Sequence, residues 1–175
     1  MKKILAILGS TRKDSTNLSL IKAIAELSIG SMEIVIYAGI GDLPQFNPDL
    51  DSDPVNKEVA DFRDQLKHSD GVIICTPEYA HGVPGTLKNA IDWTISSSSF
   101  PNKPTMLITA STGGFHGHRA LLETLRAIQA RNIDNLQMVI PFVKTKVDSN
   151  NEITDKTTFE DVKKLIAAFN GTLNN

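Results

Sequence analysis

The sequence predicts a three-layer α/β fold: a doubly wound, five-stranded parallel sheet with helices on both faces. Two observations carry this. Short apolar runs alternate along the chain with segments of helical periodicity, the pattern of parallel strands joined by crossover helices. The runs themselves are continuous rather than alternating, so each strand is to be buried on both sides, and each is too short and too flat in pattern for an amphipathic helix.

The elements follow in order. Ile4 to Leu8 is the first strand. The start Met1-Lys2-Lys3 imitates a signal peptide, but the apolar run stops after five residues at Gly9-Ser10-Thr11, so a buried strand is expected rather than a leader. A helix from about Leu18 to Leu27 carries Leu20, Ile24 and Leu27 on one stripe, and Glu33 to Tyr37 is the second strand. The next helix places Val55, Val59, Phe62 and Leu66 on one face, with Asp53 expected as N-cap and Pro54 as first helical residue. Gly71 to Thr76 is the third strand, and a helix from Gly85 to Ile95 follows on Leu87, Ala90 and Ile91. Pro104 to Ala110 is the fourth strand, followed by a helix from Gly117 to Arg131 on Leu121, Leu125 and Ile128. Leu136 to Ile140 is the fifth. The last helix has Phe159, Val162, Ile166 and Phe169 on one stripe, opened by Thr157 and Glu160 at capping-box spacing and closed by Asn170-Gly171.

The right-handed crossover rule and the need to cover both faces favour the strand order 2-1-3-4-5, the flavodoxin-like order. In such sheets ligands bind outside the carboxyl ends of the strands, where the winding reverses. The loops after strands one, three and four are therefore the candidate site. A chain of 175 residues fits one such domain, spanning 1–175.

Composition narrows the partners. With 41% hydrophobic and 22% charged residues the chain reads as an ordinary globule, neither disordered nor fibrous. Eighteen basic against 20 acidic residues give a net charge of −2, which supplies no field for a nucleic-acid backbone. No apolar stretch approaches the ~20 residues needed to span a bilayer, so no membrane partner is expected. The single cysteine, Cys75, excludes an intrachain disulfide and a multi-thiolate zinc site, suits a reducing cytoplasm, and reads as inert packing inside its strand.

The first loop, Gly9 to Asn17, is crowded with hydroxyls at a helix start. Free backbone N–H groups and the positive dipole end of the helix, together with Ser10, Ser15, Thr16, the Asn17 amide and the Arg12 guanidinium, would make a phosphate cradle. It is neither a Walker A loop nor a GxGxxG fingerprint. Taken singly, Ser15 or Asn17 reads as a helix cap and Arg12 as a solvated charge; their position after the first strand favours the cradle.

The second loop, Thr76 to Gly85, contains two prolines and two glycines that fix its backbone. A rigid loop with exposed N–H groups suits the edge of a flat heterocycle, with Tyr79 as an aromatic wall. Glu78 fits that role or that of a general acid or base, while Trp93 reads as core packing. The third loop, Ser111 to Arg119, has three glycines that permit close approach to a ligand. His116 and His118, two apart without a third ligand, read as plain loop residues, and no metal is expected. Asp49, Asp51 and Asp53 begin like an EF-hand, yet Pro54 and Ala60 occupy its glycine and glutamate positions. There is no GxSxG elbow, and His81 stands where a CxxxxxR phosphatase loop has arginine.

Taken together, these loops resemble the NADPH-dependent FMN reductase family, which includes chromate, quinone and azo-dye reductases. The matching pieces are Gly9-Ser10-x-Arg12-x-x-Ser15-x-Asn17; Pro77-Glu78-Tyr79 with Pro84-Gly85-x-Leu87-Lys88-Asn89-Ala90-Ile91-Asp92-Trp93; and Ser111-x-Gly113 with Gly117-x-Arg119. Asp42-Leu43-Pro44 and Lys146-Val147-Asp148 extend the likeness over nearly the whole chain, and His118 departs from it where many members carry glycine.

The resemblance implies an FMN-dependent oxidoreductase that draws a hydride from NADPH or NADH and passes it to a small-molecule acceptor: a quinone, free flavin, azo compound or metal oxyanion. It implies FMN phosphate on Ser10, Arg12, Ser15, Thr16 and Asn17, and the ring on Pro77, Glu78, Tyr79, Ala80, His81 and Gly82, closed by Ser111 and Gly113. No catalytic acid or base is required, because the chemistry belongs to the cofactor. A homodimer or homotetramer with the flavin near the interface is implied, the loop from Gly39 to Asp51 reaching toward the partner. The competing reading is a flavodoxin-type one-electron carrier or a flavin sensor without turnover; the modest charge and Arg12 argue for the enzyme.

Overall fold

The structure is a computed structural model and describes residues 1–174. The sheet strands are β1 (Lys2–Leu8), β2 (Met32–Tyr37), β3 (Gly71–Thr76), β4 (Thr105–Ser111) and β5 (Gln137–Pro141), all parallel, in the order β2-β1-β3-β4-β5. The helices are α1 (Thr16–Leu27), α2 (Lys57–Lys67), α3 (Gly85–Asp92), α4 (Phe115–Ala127) and α5 (Lys156–Leu173). The fold is flavodoxin-like.

Side chains of successive strand residues point to opposite faces, and this splits the core in two. Ile4, Ala6, Ile73, Cys75, Met106 and Ile108 pack with Leu20 and Ile24 of α1 and Val162, Ile166 and Phe169 of α5. Leu5, Ile7, Val72, Ile74 and Leu107 pack on the other face with Val59, Phe62 and Leu66 of α2, Leu87 and Ile91 of α3, and Leu121 and Leu125 of α4. Trp93 is fully buried there, in line with its reading as packing rather than as a ligand wall, and its Nε1 donates to Pro44 O at 2.8 Å.

Several element ends differ from the sequence expectation. α2 begins at Lys57, not at Pro54: the Asn56 side chain accepts from the N–H groups of Glu58 and Val59, and this cap displaces Asp53 from that role. α5 is capped by Asp155, whose carboxylate accepts from Thr158 N, rather than by Thr157, and it runs through Asn170-Gly171 to Leu173 because Phe169 and Leu173 are held in the core. α4 starts two residues earlier than Gly117, with left-handed Gly114 as its N-cap, so His116 and His118 lie on a helix rather than in a loop. α3 ends at Asp92, and α4 at Ala127.

Candidate functional site

The carboxyl ends of β1, β3, β4 and β5 open on one pocket of about 490 Å3, within the range of small-ligand sites. Ser10, Arg12, Ser15, Thr16 and Asn17 line one side, Pro77, Glu78 and Tyr79 another, and Ala110, Ser111 and Thr112 the floor. The rest of the wall is Phe142 to Thr145, which follows β5.

Loop one is set by a tight crossing. Gly9 N donates to Cys75 O at 2.8 Å, and a Cβ on Gly9 would stand 2.2 Å from Thr76 Oγ1, so only glycine lets β1 exit this close to β3. Ser10 then turns the chain, its Oγ accepting from Arg12 N. Ser15 is the N-cap of α1 by backbone, with extended geometry, but its hydroxyl makes no bond to the helix end. The first N–H groups of α1, the hydroxyls and Arg12 thus share one end of the pocket, a donor set suited to a phosphate. Asn17 has a different task from the one its type suggests: its Nδ2 donates to Ala110 O at 3.0 Å, and its Oδ1 lies 3.2 Å from Cys75 Sγ, so the side chain ties α1 to β3 and β4 beneath the pocket. Burial pushes the Cys75 thiol up, beyond the ordinary thiol range.

Loop two doubles back on itself. Tyr79 and Gly82 exchange backbone hydrogen bonds at 2.9 Å each, and between them Ala80 and His81 have φ of 48° and 59°. Two successive positive φ values make a type I′ turn, a geometry that normally calls for Asn or Gly. Tyr79, half exposed, faces the pocket from this turn.

Loop three locks onto loop two. Gly117 N donates to Glu78 Oε2 at 2.6 Å. Burial raises the Glu78 carboxyl, but the N–H groups of Gly117, Gly114 and His116 and the His116 charge outweigh it and hold the group below the usual carboxylate value. A Cβ on Gly117 would stand 2.8 Å from Gly82 O, so the contact between α4 and the turn needs glycine. The rings of His81 and His116 stack with centroids 4.2 Å apart and planes 24° apart. His118, on α4, is buried against β4 and β5, with Nδ1 2.9 Å from Thr109 Oγ1 and Nε2 2.8 Å from Gln137 Oε1; burial lowers its pKa. It is a core residue, not the plain loop residue its setting among glycines predicts.

Of the residues singled out in the sequence, Ser10, Arg12, Ser15, Thr16, Asn17, Pro77, Glu78, Tyr79 and Ser111 come together on the pocket wall. Ala80, His81 and Gly82 form the turn behind Tyr79, and Gly113 sits beside Glu78, where a Cβ would be 3.9 Å from Oε1. The segment from Phe142 to Thr145 escaped sequence reading, since it has neither glycine nor an obvious turn pair; its one signal was its position directly after a strand end.

Comparison with known proteins agrees with this geometry. A sequence model of the NADPH-dependent FMN reductase family matches residues 2–145. A quinone reductase of Escherichia coli K12 is 30% identical over 176 residues, covering 95% of this chain and 93% of its own. A 2-hydroxy-1,4-benzoquinone reductase of a Burkholderia species is 34% identical over 175 residues, covering 95% and 91%. Among solved structures, FerB of Paracoccus denitrificans, described as a flavoenzyme NAD(P)H:(acceptor) oxidoreductase, superposes with a TM-score of 0.84 at 30% identity, covering 99% of this chain and 98% of its own. With a family model matching residues 2–145 and relatives and a solved structure at 30% identity or more over most of its length, the chain belongs to the NADPH-dependent FMN reductase family, as a flavin-dependent oxidoreductase.

Proposed function

We propose that this protein is an FMN-dependent NAD(P)H oxidoreductase whose acceptor is a quinone, built as one domain over residues 1–175. The observation that carries it is one pocket in which a phosphate-type donor set meets a wall of Pro77, Glu78 and Tyr79 backed by hydrogen-bonded turns. The names of the Escherichia coli and Burkholderia relatives support a quinone as acceptor.

The N–H groups at the start of α1, the hydroxyls of Ser10, Ser15 and Thr16, and Arg12 would hold the FMN phosphate, with Asn17 fixing the cradle from below. Pro77, Glu78 and Tyr79 would lie along the ring, held at one height by the Ala80-His81 turn and Gly82, with Ser111 and Gly113 on the far edge. Bound there, FMN supplies a hydride acceptor for the nicotinamide and a hydride donor for the quinone. The Glu78 carboxylate is taken up by the α4 amides, so its part is to fix the ring-side loop rather than to carry protons. The pocket stays open beside Tyr79 and Phe142, both exposed, which leaves room for a flat substrate. The family resemblance supports a homodimer or homotetramer with the flavin near the interface. Buried, unpaired Cys75 fits a cytoplasmic setting, and among the described residues no helix is long and apolar enough to cross a membrane.

The test is a visible spectrum of the purified protein loaded with FMN and freed of excess, followed by anaerobic NADPH, then NADH, then 1,4-benzoquinone. Retained yellow colour that a nicotinamide bleaches and the quinone restores is the expected result. A colour that neither nicotinamide bleaches would make the protein a carrier or sensor instead.

A further inference from the structure

The wall after β5 adds a cation to the pocket. Phe142 is left-handed, with φ of 55° and ψ of 37°, a costly conformation for a bulky side chain. It is pinned on both sides: Phe142 N donates to Thr112 O at 3.2 Å, and Phe142 O accepts from both Thr145 N and Thr145 Oγ1 at 2.9 Å. The turn Val143–Thr145 that follows is anchored by Val143, buried in the same core as Leu20 and Ile21 of α1. Further on, Val147 and Asp148 line a groove with Ser15, Thr16 and Ser19, so the chain just after this turn lies beside the first turns of α1. Lys144 therefore leaves a fixed turn on the wall of the same pocket that Arg12, Ser15 and Thr16 line. It is exposed, and among the described residues neither it nor Arg12 forms an ion pair.

A phosphate monoester carries about −1.5 to −2 charges at neutral pH. Arg12 alone matches only part of that. We infer that Lys144 is a second phosphate-binding cation of this pocket, paired with Arg12 across the start of α1 and directed at the 5′-phosphate of FMN. The inference rests on the FMN reading above and adds to it a residue outside the three loops. The pinned Phe142 turn holds the Lys144 backbone in place, so that only side-chain freedom, and not loop freedom, is lost on binding.

The experiment compares FMN with riboflavin, which lacks the phosphate. Flavin-free wild type, Lys144→Gln and Lys144→Arg are titrated with each by flavin fluorescence, and their thermal midpoints are checked without flavin. Lys144→Gln is expected to weaken FMN by about three- to tenfold while riboflavin is unchanged. Lys144→Arg should restore FMN affinity, and about 0.5 M salt should shrink the difference. Unchanged FMN affinity in Lys144→Gln overturns the assignment, as does an equal loss of riboflavin. If only the preference between NADPH and NADH moves, Lys144 faces the nicotinamide nucleotide's 2′-phosphate and the assignment to FMN is wrong. A wild type that binds neither flavin overturns the FMN reading itself, an outcome distinct from the failure of Lys144 alone.

Discussion

Gly117 N and Glu78 Oε2 stand 2.6 Å apart, and this bond helps to fasten the turn after β3 to the first turn of α4. Because a carboxylate accepts better than a neutral acid, the folded state binds the ionised form of Glu78 more strongly. The folded-state value is depressed, so its stabilisation is fully present above the unfolded value of about 4.3 and is lost as pH falls through the folded one. Thermal midpoints from pH 7 down to about 3 should fall more steeply for wild type than for Glu78→Gln. Parallel curves would show that ionisation of Glu78 is not coupled to folding.

Ala80 carries the strain of the same turn, at φ of 48°. Glycine meets no Cβ penalty there, though it loses more freedom on folding. Ala80→Gly is expected to stabilise by about 0.5–1 kcal/mol, because the left-handed cost of about 1–2 kcal/mol exceeds the entropic one. Urea unfolding reads this directly. A loss of stability would mean that the turn is not strained in solution.

Arg63 organises the segment before α2. Its Nη2 donates to Asp51 Oδ1 at 2.9 Å and to Ser96 Oγ at 3.0 Å, its Nε to Trp93 O at 2.7 Å, and its guanidinium lies over the Trp93 ring. Both charged side chains are largely shielded, at 15% and 11% exposure. Arg63→Ala should cost about 2–4 kcal/mol, and Arg63→Lys should recover little, since an ammonium cannot reproduce the fork. Denaturant midpoints for the two variants check this, with full rescue by Lys as the contrary result.

Arg12 is exposed at the hydroxyl-rich end of the pocket. Arg12→Ala should remove a charge-assisted hydrogen bond worth about 1.5–3 kcal/mol and lower FMN affinity by about one to two decades. Equilibrium titration measures it, and an unchanged dissociation constant would remove Arg12 from the phosphate site.

The strands and their order were legible because a parallel sheet buried on both faces leaves an unbroken apolar run, and Gly71–Thr76 was delimited to the residue. Helix starts were less so. Asp53-Pro54 and Asn56 are both good openings, and only the geometry of the preceding loop decides that Asn56 caps α2. The three loops of the site were marked by glycine, proline and hydroxyl residues. Their turns were not, since Ala80, His81 and Phe142 adopt left-handed backbone without being the residue types that favour it. His118 was misplaced for a related reason: its burial depends on Thr109 and Gln137, partners nine and 19 residues away that only the sheet brings together.

Quinones are not only oxidants but alkylating electrophiles, and what they attack is thiolate. With a quinone as its proposed acceptor, this enzyme is exposed to arylation of any reactive thiol it presents. Cys75, directly beneath the pocket, is wholly shielded, engaged by Asn17 and held in its protonated form by burial. Asn17 and the sheet therefore shield the chain's only thiol, so that under the proposed function a quinone in the pocket meets no thiolate to attack.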